Sequence, residues 1–579
     1  MKLNRQKISS QIGRYVPIIG WARSYQRALL RDDLVSGVVV GAIMIPVAMA
    51  YAQMAGVPPQ AGLYSAIVGM TAYAIFATSR HLKITASSTM SIMSLAVVAP
   101  LAAGDASAFM ALSSALALTI GIIMLVLAIL KLGFISDFLA KSVMTGYIFG
   151  VACLIAISQL PKIFGVPGTS GTFFQQVAQF IAELPETNVY SLALGVGTIV
   201  LILLLKRFKP LIPGALVALV LGILIASLLQ LNEKYGVSVV GDIPTGMTSP
   251  MIPRIDLDTI PLLIAGAVGI VFLAVSETLG TGRAFATKYH YEVDADQELL
   301  ALGAANVSSG LFQGITIDMS LSSTAAGEAA GERTQLSSLV SAGVILAVVM
   351  FLAPLLRNLP TAVLGAIVLS SILGLFNFAE FRRYYDQRKT DFILAVTALV
   401  GVLTTSVMTG LVIAALLSVM MLLYRASRPY IAILGKRANG EYSDIDRHPD
   451  AQPIPGLVIL RLDAPLYFFN ANVARTQIRA QIADTPPRAI LLDIGASADL
   501  DIGTSDMLRD LNSDLRRANI DLLFAQVRGS VRRRMRLTGL FDHIGEDHIF
   551  LSVAAAASNF EQRDQEEQLT PSISDTPTP

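Results

Sequence analysis

The stretch KITASSTMSIMS, Lys83 to Ser94, carries six hydroxyl side chains in twelve residues, between two long apolar runs. The second half of the chain repeats the feature in ITIDMSLSSTAAGE, Ile315 to Glu328. A lipid-facing helix would not use these residues, whereas irregular backbone inside a membrane is tolerated where it is buried in protein or lines a cavity. Two broken helices are therefore expected, each opening with free backbone N–H groups and the positive end of a helix dipole. Facing each other near the midplane, they would form an anion site. Ser87, Ser88 and Thr89, with Ser320, Ser322 and Ser323, would supply hydroxyl donors. A plainer reading stays open, in which small and hydroxyl residues only let helices pack closely; the matched positions of the two runs favour the first.

The rest of the chain supports a membrane setting. Of 579 residues, 54% are hydrophobic and only 15% charged, and the mean hydropathy is +0.62, the composition of a polytopic α-helical membrane protein. A single cysteine, Cys153, excludes an internal disulfide framework, and no metal-ligand spacing is visible. The basic amino terminus lacks an apolar core followed by a cleavage site, so no cleavable signal peptide is expected. Apolar runs fall near 33–53, 61–78, 87–101, 108–131, 134–158, 188–206 and 211–230, then near 259–283, 294–312, 321–332, 333–354, 358–378, 390–407 and 408–427. That is seven and seven. Two of them, 87–101 and 321–332, are too short to span as helices, so fourteen transmembrane segments require counting the extended residues before each.

Charge placement agrees with this count. With the amino terminus inside, the connections SRHLK (79–83), KRFK (206–209), TGRAFATKYH (281–290), EFRRYYDQRK (380–389) and RASR (425–428) are cytoplasmic and basic. The outer connections carry only Lys162, Lys234, Arg254 and Arg357. Seven segments per half insert the halves with opposite topology, giving a 7+7 inverted repeat. The expected organisation is a cytoplasmic segment over 1–32, a membrane domain over 33–428 with repeats near 33–230 and 259–428, an α/β domain over 429–560, and a disordered tail over 561–579. The α/β domain rests on buried strands at 457–462, 489–494 and 521–527 with helices near 471–484 and 504–518. The tail has the polar, proline-containing composition of disorder.

Glu277 follows a long uncharged run, where an ionisable group is expensive and marks an ion pathway or a pairing site. With Thr281 one turn later it could bind Na⁺ through oxygens, or a proton; it could equally hold helices together by pairing with Arg283 or Lys141. Asp318 is read as shaping an outer access route, and Glu328 and Glu332 as facing the cytoplasmic vestibule.

The segment IPVAMAYAQMAGVPPQAGLYSAIVGM (45–70), followed by TSRH (78–81), resembles the signature of the sulfate permease family of anion transporters, which includes prestin and pendrin. SETLGTGRAFA (276–286), LLALGAANVSSGLFQG (299–314), RTQLSS (333–338) and GLVILRLDAPLYFFNANVARTQI (456–478) extend the resemblance over nearly the whole chain. It implies core and gate domains, a cytoplasmic STAS domain, a homodimer and elevator-like alternating access for anions. It also implies a substrate pocket at Tyr51, Ser87, Ser88, Ser320, Leu321, Ser322 and Ser323, and a cation site at Glu277 and Thr281. The chain departs from the family pattern at Thr85-Ala86, where Gly-Pro is usual, at Val47, where glutamine is usual, and at Ser323, where many members carry arginine. Without that arginine, anion binding depends more on helix dipoles, hydroxyls and a co-bound cation. In the STAS region Ile502 follows Asp501, which argues against a phosphoserine switch there, and the arginines 528, 532, 533, 534 and 536 are assigned no function.

The function expected is secondary-active transport of a small anion, sulfate or bicarbonate-like, by Na⁺ or H⁺ symport in the plasma or inner membrane, both termini cytoplasmic. A C4-dicarboxylate symporter, an uncoupled exchanger or channel, and a STAS-based scaffold are the alternatives. No nucleophile elbow, phosphate-binding glycine loop or histidine dyad points to an enzyme, and neither a cofactor nor a nucleic-acid partner is expected.

Overall fold

The computed structural model describes residues 16–102, 105–134, 140–169, 171–209, 213–405, 407–480 and 486–569. These form two compact units, 1–419 and 420–579. The apolar runs become fourteen segments, the last of which runs on past Val419 into the second unit. The first seven are Leu30–Met54, Pro59–Phe76, a third made of a two-residue strand β1 (Ile84–Thr85) and the helix Ser88–Ala102, then Ala106–Ile129, Lys141–Phe164, Val189–Phe208 and Gly214–Leu228. The second seven are Ile260–Tyr289, Ala295–Leu311, a tenth made of β2 (Asp318–Met319) and Leu321–Ala329, then Leu336–Phe351, Thr361–Ile372, Lys389–Thr404 and Val407–Ser427. Among the described residues, six helical stretches are long and apolar enough to cross a membrane unaided, counting Thr361–Gln387 as one.

Packing follows the repeat. The fourth segment lies on the ninth, and the eleventh on the second; the first meets the eleventh as the eighth meets the fourth; the thirteenth packs on the fifth as the sixth does on the twelfth. Segments 1–4 interlock with 8–11, and 5–7 with 12 and 13. Two buried carboxylates bind the halves at turns. Asp33 accepts hydrogen bonds from the backbone N–H groups of Arg333 (2.8 Å) and Thr334 (2.9 Å) and from the Thr334 hydroxyl (2.7 Å). Reciprocally, Glu298 accepts from the N–H groups of Thr78 and Ser79, each at 2.8 Å, and from the Tyr73 hydroxyl.

Three sequence expectations need correction. The fifth segment runs from Lys141 to Phe164 rather than over 134–158, which places Lys162 on a helix rather than in an outer loop; residues 135–139 lie outside the described residues. A helix over Phe378–Gln387, with Tyr384 buried, occupies most of the basic connection at 380–389. The supposed tail is helical through Leu569, because Val553, Ala556 and Ala557 are buried against the sheet of the second unit and Glu561 pairs with Lys436 at 3.2 Å. Residues 570–579 lie outside the described residues.

The second unit is a six-stranded sheet in the order β4-β3-β5-β6-β7-β8, with β3 (Ile431–Lys436), β4 (Tyr442–Asp444), β5 (Leu457–Leu462), β6 (Ala489–Asp493), β7 (Asp521–Ala525) and β8 (Ile549–Phe550). Strands β5 to β8 are parallel and β3 is antiparallel to both its neighbours. Helices Phe468–Ala480 and Ile502–Arg517 cover one face, and Val553–Leu569 the other. Asp501 is a helix cap here: its carboxylate accepts from the N–H groups of Thr504 and Phe468, each at 2.7 Å, and Thr504 and Ser505 are buried. Of the arginine run, Arg534 faces Asp499 at 3.4 Å, and Arg532 and Arg536 lie over the Phe541 ring.

Gly146 marks the tightest crossing. A Cβ there would sit 1.9 Å from the Ala395 carbonyl oxygen, so the fifth and thirteenth segments touch backbone to backbone. Gly146→Leu is expected to destabilise the membrane unit by roughly 1–3 kcal/mol through overpacking, read as a lowered melting temperature of the detergent-purified protein.

Candidate anion and cation site

The two hydroxyl runs meet. β1 and β2 pair antiparallel with Ile84 opposite Met319 and Thr85 opposite Asp318, and the Ser320 N–H extends the ladder to the Lys83 carbonyl at 2.9 Å. The extended backbone before the tenth helix finds its remaining partners in side chains. Asn306 bonds both the N–H (3.0 Å) and the carbonyl (2.8 Å) of Ile317, while Ser65 and Ser309 take the N–H and carbonyl of Ile315 at 2.8 and 2.6 Å. Such backbone survives at this depth because these groups are satisfied within the protein.

From the ladder two helices start, at Ser88 and at Leu321. Each has a serine cap: the Ser87 hydroxyl accepts from the Met90 N–H (3.2 Å) and the Ser320 hydroxyl from the Ser323 N–H (3.4 Å). Ser87, Ser88 and Thr89 are buried, as are Ser320 and Ser323, whose hydroxyls bond each other at 2.8 Å. Leu321, 55% exposed, and Ser322 face open space instead. Tyr51 is buried on the first segment with its hydroxyl in range of Ser88 and near Asp318.

Glu277 meets neither cation proposed from sequence. Lys141 reaches toward Glu380 at 3.8 Å, and the group that acts on the Glu277 carboxyl is Asp318, with no basic side chain among its neighbours. The phenol of Tyr147, on the fifth segment, is also near. Thr281, one turn along, is half-buried; Thr278, adjacent in sequence, is the more enclosed, its hydroxyl buried without a hydrogen-bond partner. Asp318 is the residue whose part sequence reasoning missed. Rather than shaping an outer route it lies fully buried beside Glu277 and Ser87, both its carboxylate oxygens lacking a well-formed partner, as does the Thr85 hydroxyl on the opposite strand. Across an antiparallel pair, opposed side chains share a face, so these orphaned oxygens point the same way.

A second ionic cluster lies at the start of the third segment. Lys83 and Glu332 pair at 2.7 Å with both side chains fully buried, and the ammonium also donates to Ser337 and Ser338. Glu332 therefore does not line an open vestibule. Glu328 does stay near the surface, paired with Lys288 and Tyr289. Next to it His81 stacks on Tyr289, ring centroids 4.3 Å apart; burial, then the charge of Lys83, pushes its imidazole down to about 4.

Two half-helices closed by a short ladder, inside interlocked inverted repeats of seven segments, define a multi-pass membrane transporter. Comparison with known proteins agrees. The sulfate permease family matches residues 30–398 and the STAS domain residues 448–556. A probable sulfate transporter of Mycobacterium tuberculosis is 35% identical over 553 residues, covering 94% of this chain and 99% of that protein. Prestin of Danio rerio is 29% identical over 521 residues, covering 84% and 70%. The structure of the murine solute carrier 26 family member A9 anion transporter, inward-facing, has a TM-score of 0.89 at 23% identity, covering 96% of this chain and 95% of that one. The transmembrane domain of the cyanobacterial bicarbonate transporter BicA gives 0.59 at 23% identity, covering 68% and 98%. The chain belongs to the sulfate permease family; it is a transporter and not an enzyme.

Lys83→Met is expected to cost about 3–5 kcal/mol by stranding the Glu332 carboxylate, and the double variant Lys83→Met with Glu332→Leu to recover most of that loss, as measured by thermal melts. His81 carries an acid signature. Between its ordinary value and about 4, the unfolded chain binds a proton that the folded one excludes. Stability should therefore fall as pH drops through that window and level off below it, and His81→Phe should lose less stability than the parent on acidification.

Proposed function

We propose that the chain is a secondary-active transporter of a small oxyanion, sulfate first, coupled to H⁺ or Na⁺ at Glu277 and working by elevator-like alternating access. The observation that carries this reading is the register of β1 against β2, which starts two capped helices from one point. The uncapped N–H groups of their first turns, the positive ends of both dipoles and the hydroxyls of Ser87, Ser88, Thr89, Ser320, Ser322 and Ser323 suit an anion. Tyr51 closes one side, and Leu321 lies on the open side. Ser323 supplies no fixed charge, so a cation or proton at Glu277, with Thr281 on the same helix face, supplies the compensation. The names of relatives, among them a probable sulfate transporter and a bicarbonate transporter, favour an inorganic anion over a C4-dicarboxylate. The basic connections favour both termini in the cytoplasm with the chain in the plasma or inner membrane, and a homodimer is proposed from the family resemblance alone.

The test is uptake of radiolabelled sulfate by the purified full chain in liposomes, under an imposed H⁺ gradient and then an imposed Na⁺ gradient. Accumulation against the sulfate gradient is expected under one of them and should be abolished by Glu277→Gln. Flux indifferent to both gradients would move the protein to the uncoupled exchanger or channel. Competition by fumarate stronger than that by unlabelled sulfate would move it to dicarboxylates, and loss of all sulfate binding on deleting 440–579 would favour the scaffold.

A further inference from the structure

We propose that Glu277 and Asp318 work as one proton-binding carboxyl pair, so that this chain carries its anion together with H⁺ and not with Na⁺. The proposal rests on the transport reading above and assigns its coupling ion to a second residue. Asp318 is placed by the ladder: its backbone pairs with Thr85, and its side chain meets the eighth segment at Glu277. Asp318 is inaccessible to solvent, whereas Glu277 is half-buried and offers the pair a route to water.

What surrounds the pair decides the ion. The neighbours acting on it are Ser87 from the third segment, Tyr51 from the first and Tyr147 from the fifth, all uncharged. Among the described residues no ion pair joins either carboxyl to a lysine, arginine or histidine. Two carboxylates in contact cannot both stay ionised in a buried site without compensation. The two side chains lie close enough to act on each other directly, which suits a shared proton. A proton would also give the Asp318 carboxyl the partner it lacks.

Asp33 and Glu298 show what a purely structural buried carboxylate looks like in this chain. Each is saturated by backbone N–H donors. Asp318 has no well-formed donor of this kind. The consequence for transport is a charge balance. An anion arriving at the two helix ends meets two negative charges when the pair is ionised and at most one when it holds a proton, so anion binding and proton uptake are linked.

Two measurements on the purified full chain in lipid nanodiscs test this. Sulfate affinity, titrated calorimetrically without Na⁺, should weaken by up to about tenfold per pH unit as pH rises from about 6 to about 8, the slope for one proton taken up per anion. Added Na⁺ should leave it unchanged, and Asp318→Asn should flatten the slope. Infrared spectra at neutral pH should show the band of a protonated carboxyl that Asp318→Asn and Glu277→Gln each perturb or remove. Affinity that ignores pH and rises with Na⁺, or the absence of any protonated-carboxyl band sensitive to these substitutions, overturns the pair while leaving anion transport standing. If the parent neither binds nor moves sulfate, the transport reading for sulfate fails, and the infrared comparison still decides whether the pair holds a proton.

Discussion

A two-residue antiparallel ladder, Ile84–Thr85 against Asp318–Met319, is the constraint on which the membrane unit depends. Unwound backbone at membrane depth must find hydrogen-bond partners inside the protein. The ladder supplies the inner ones, and Asn306, Ser65 and Ser309 supply those on the far side. The packing of the first segment on the tenth helix, matched by that of the eighth on the third, then encloses the strands. With the strands so held, two helix starts are fixed beside each other.

The buried charges sort by how they are satisfied. Asp33 and Glu298 are locked by backbone donors across the repeat boundary, and Glu332 by Lys83 and Ser337. These groups hold the two halves in register and cannot release a proton or ion without losing partners. Among the described residues no well-formed hydrogen bond satisfies either Asp318 oxygen, and no basic side chain pairs with Asp318 or Glu277. A group that must bind and release a cation or proton in each cycle needs that freedom, because permanent partners would compete with the ion it carries.

Much of this was legible in the chain. The number of segments and their limits follow from apolar runs bounded by basic connections, and most helices begin and end within a few residues of the expected positions. Both hydroxyl runs became capped half-helices where the pattern placed them. The failures have physical causes. The carboxy-terminal helix looks disordered because its polar face dominates the composition, yet a few alanines and Val553 suffice to dock it on a sheet. Strands β4 and β8 were missed because they are only three and two residues long and lie at the edges of the sheet, and β3, six residues long, because its mix of buried and half-buried positions leaves a weak pattern.

The sequence by itself singled out the hydroxyl runs and Glu277 as expensive in a membrane, and it read Lys83 as part of a cytoplasmic connection, Glu332 as facing a vestibule and Asp318 as lining an outer route. Hydropathy and helical period are local properties, and they report such residues one at a time. Which expensive residue meets which was decided only by the tertiary structure. Lys83 and Glu332 lie far apart in the chain, as do Thr85 and Asp318, and no local pattern encodes contacts across an inverted repeat. The ladder's register sets Asp318 against Glu277, because shifting it by one residue would turn the carboxyl to the opposite face.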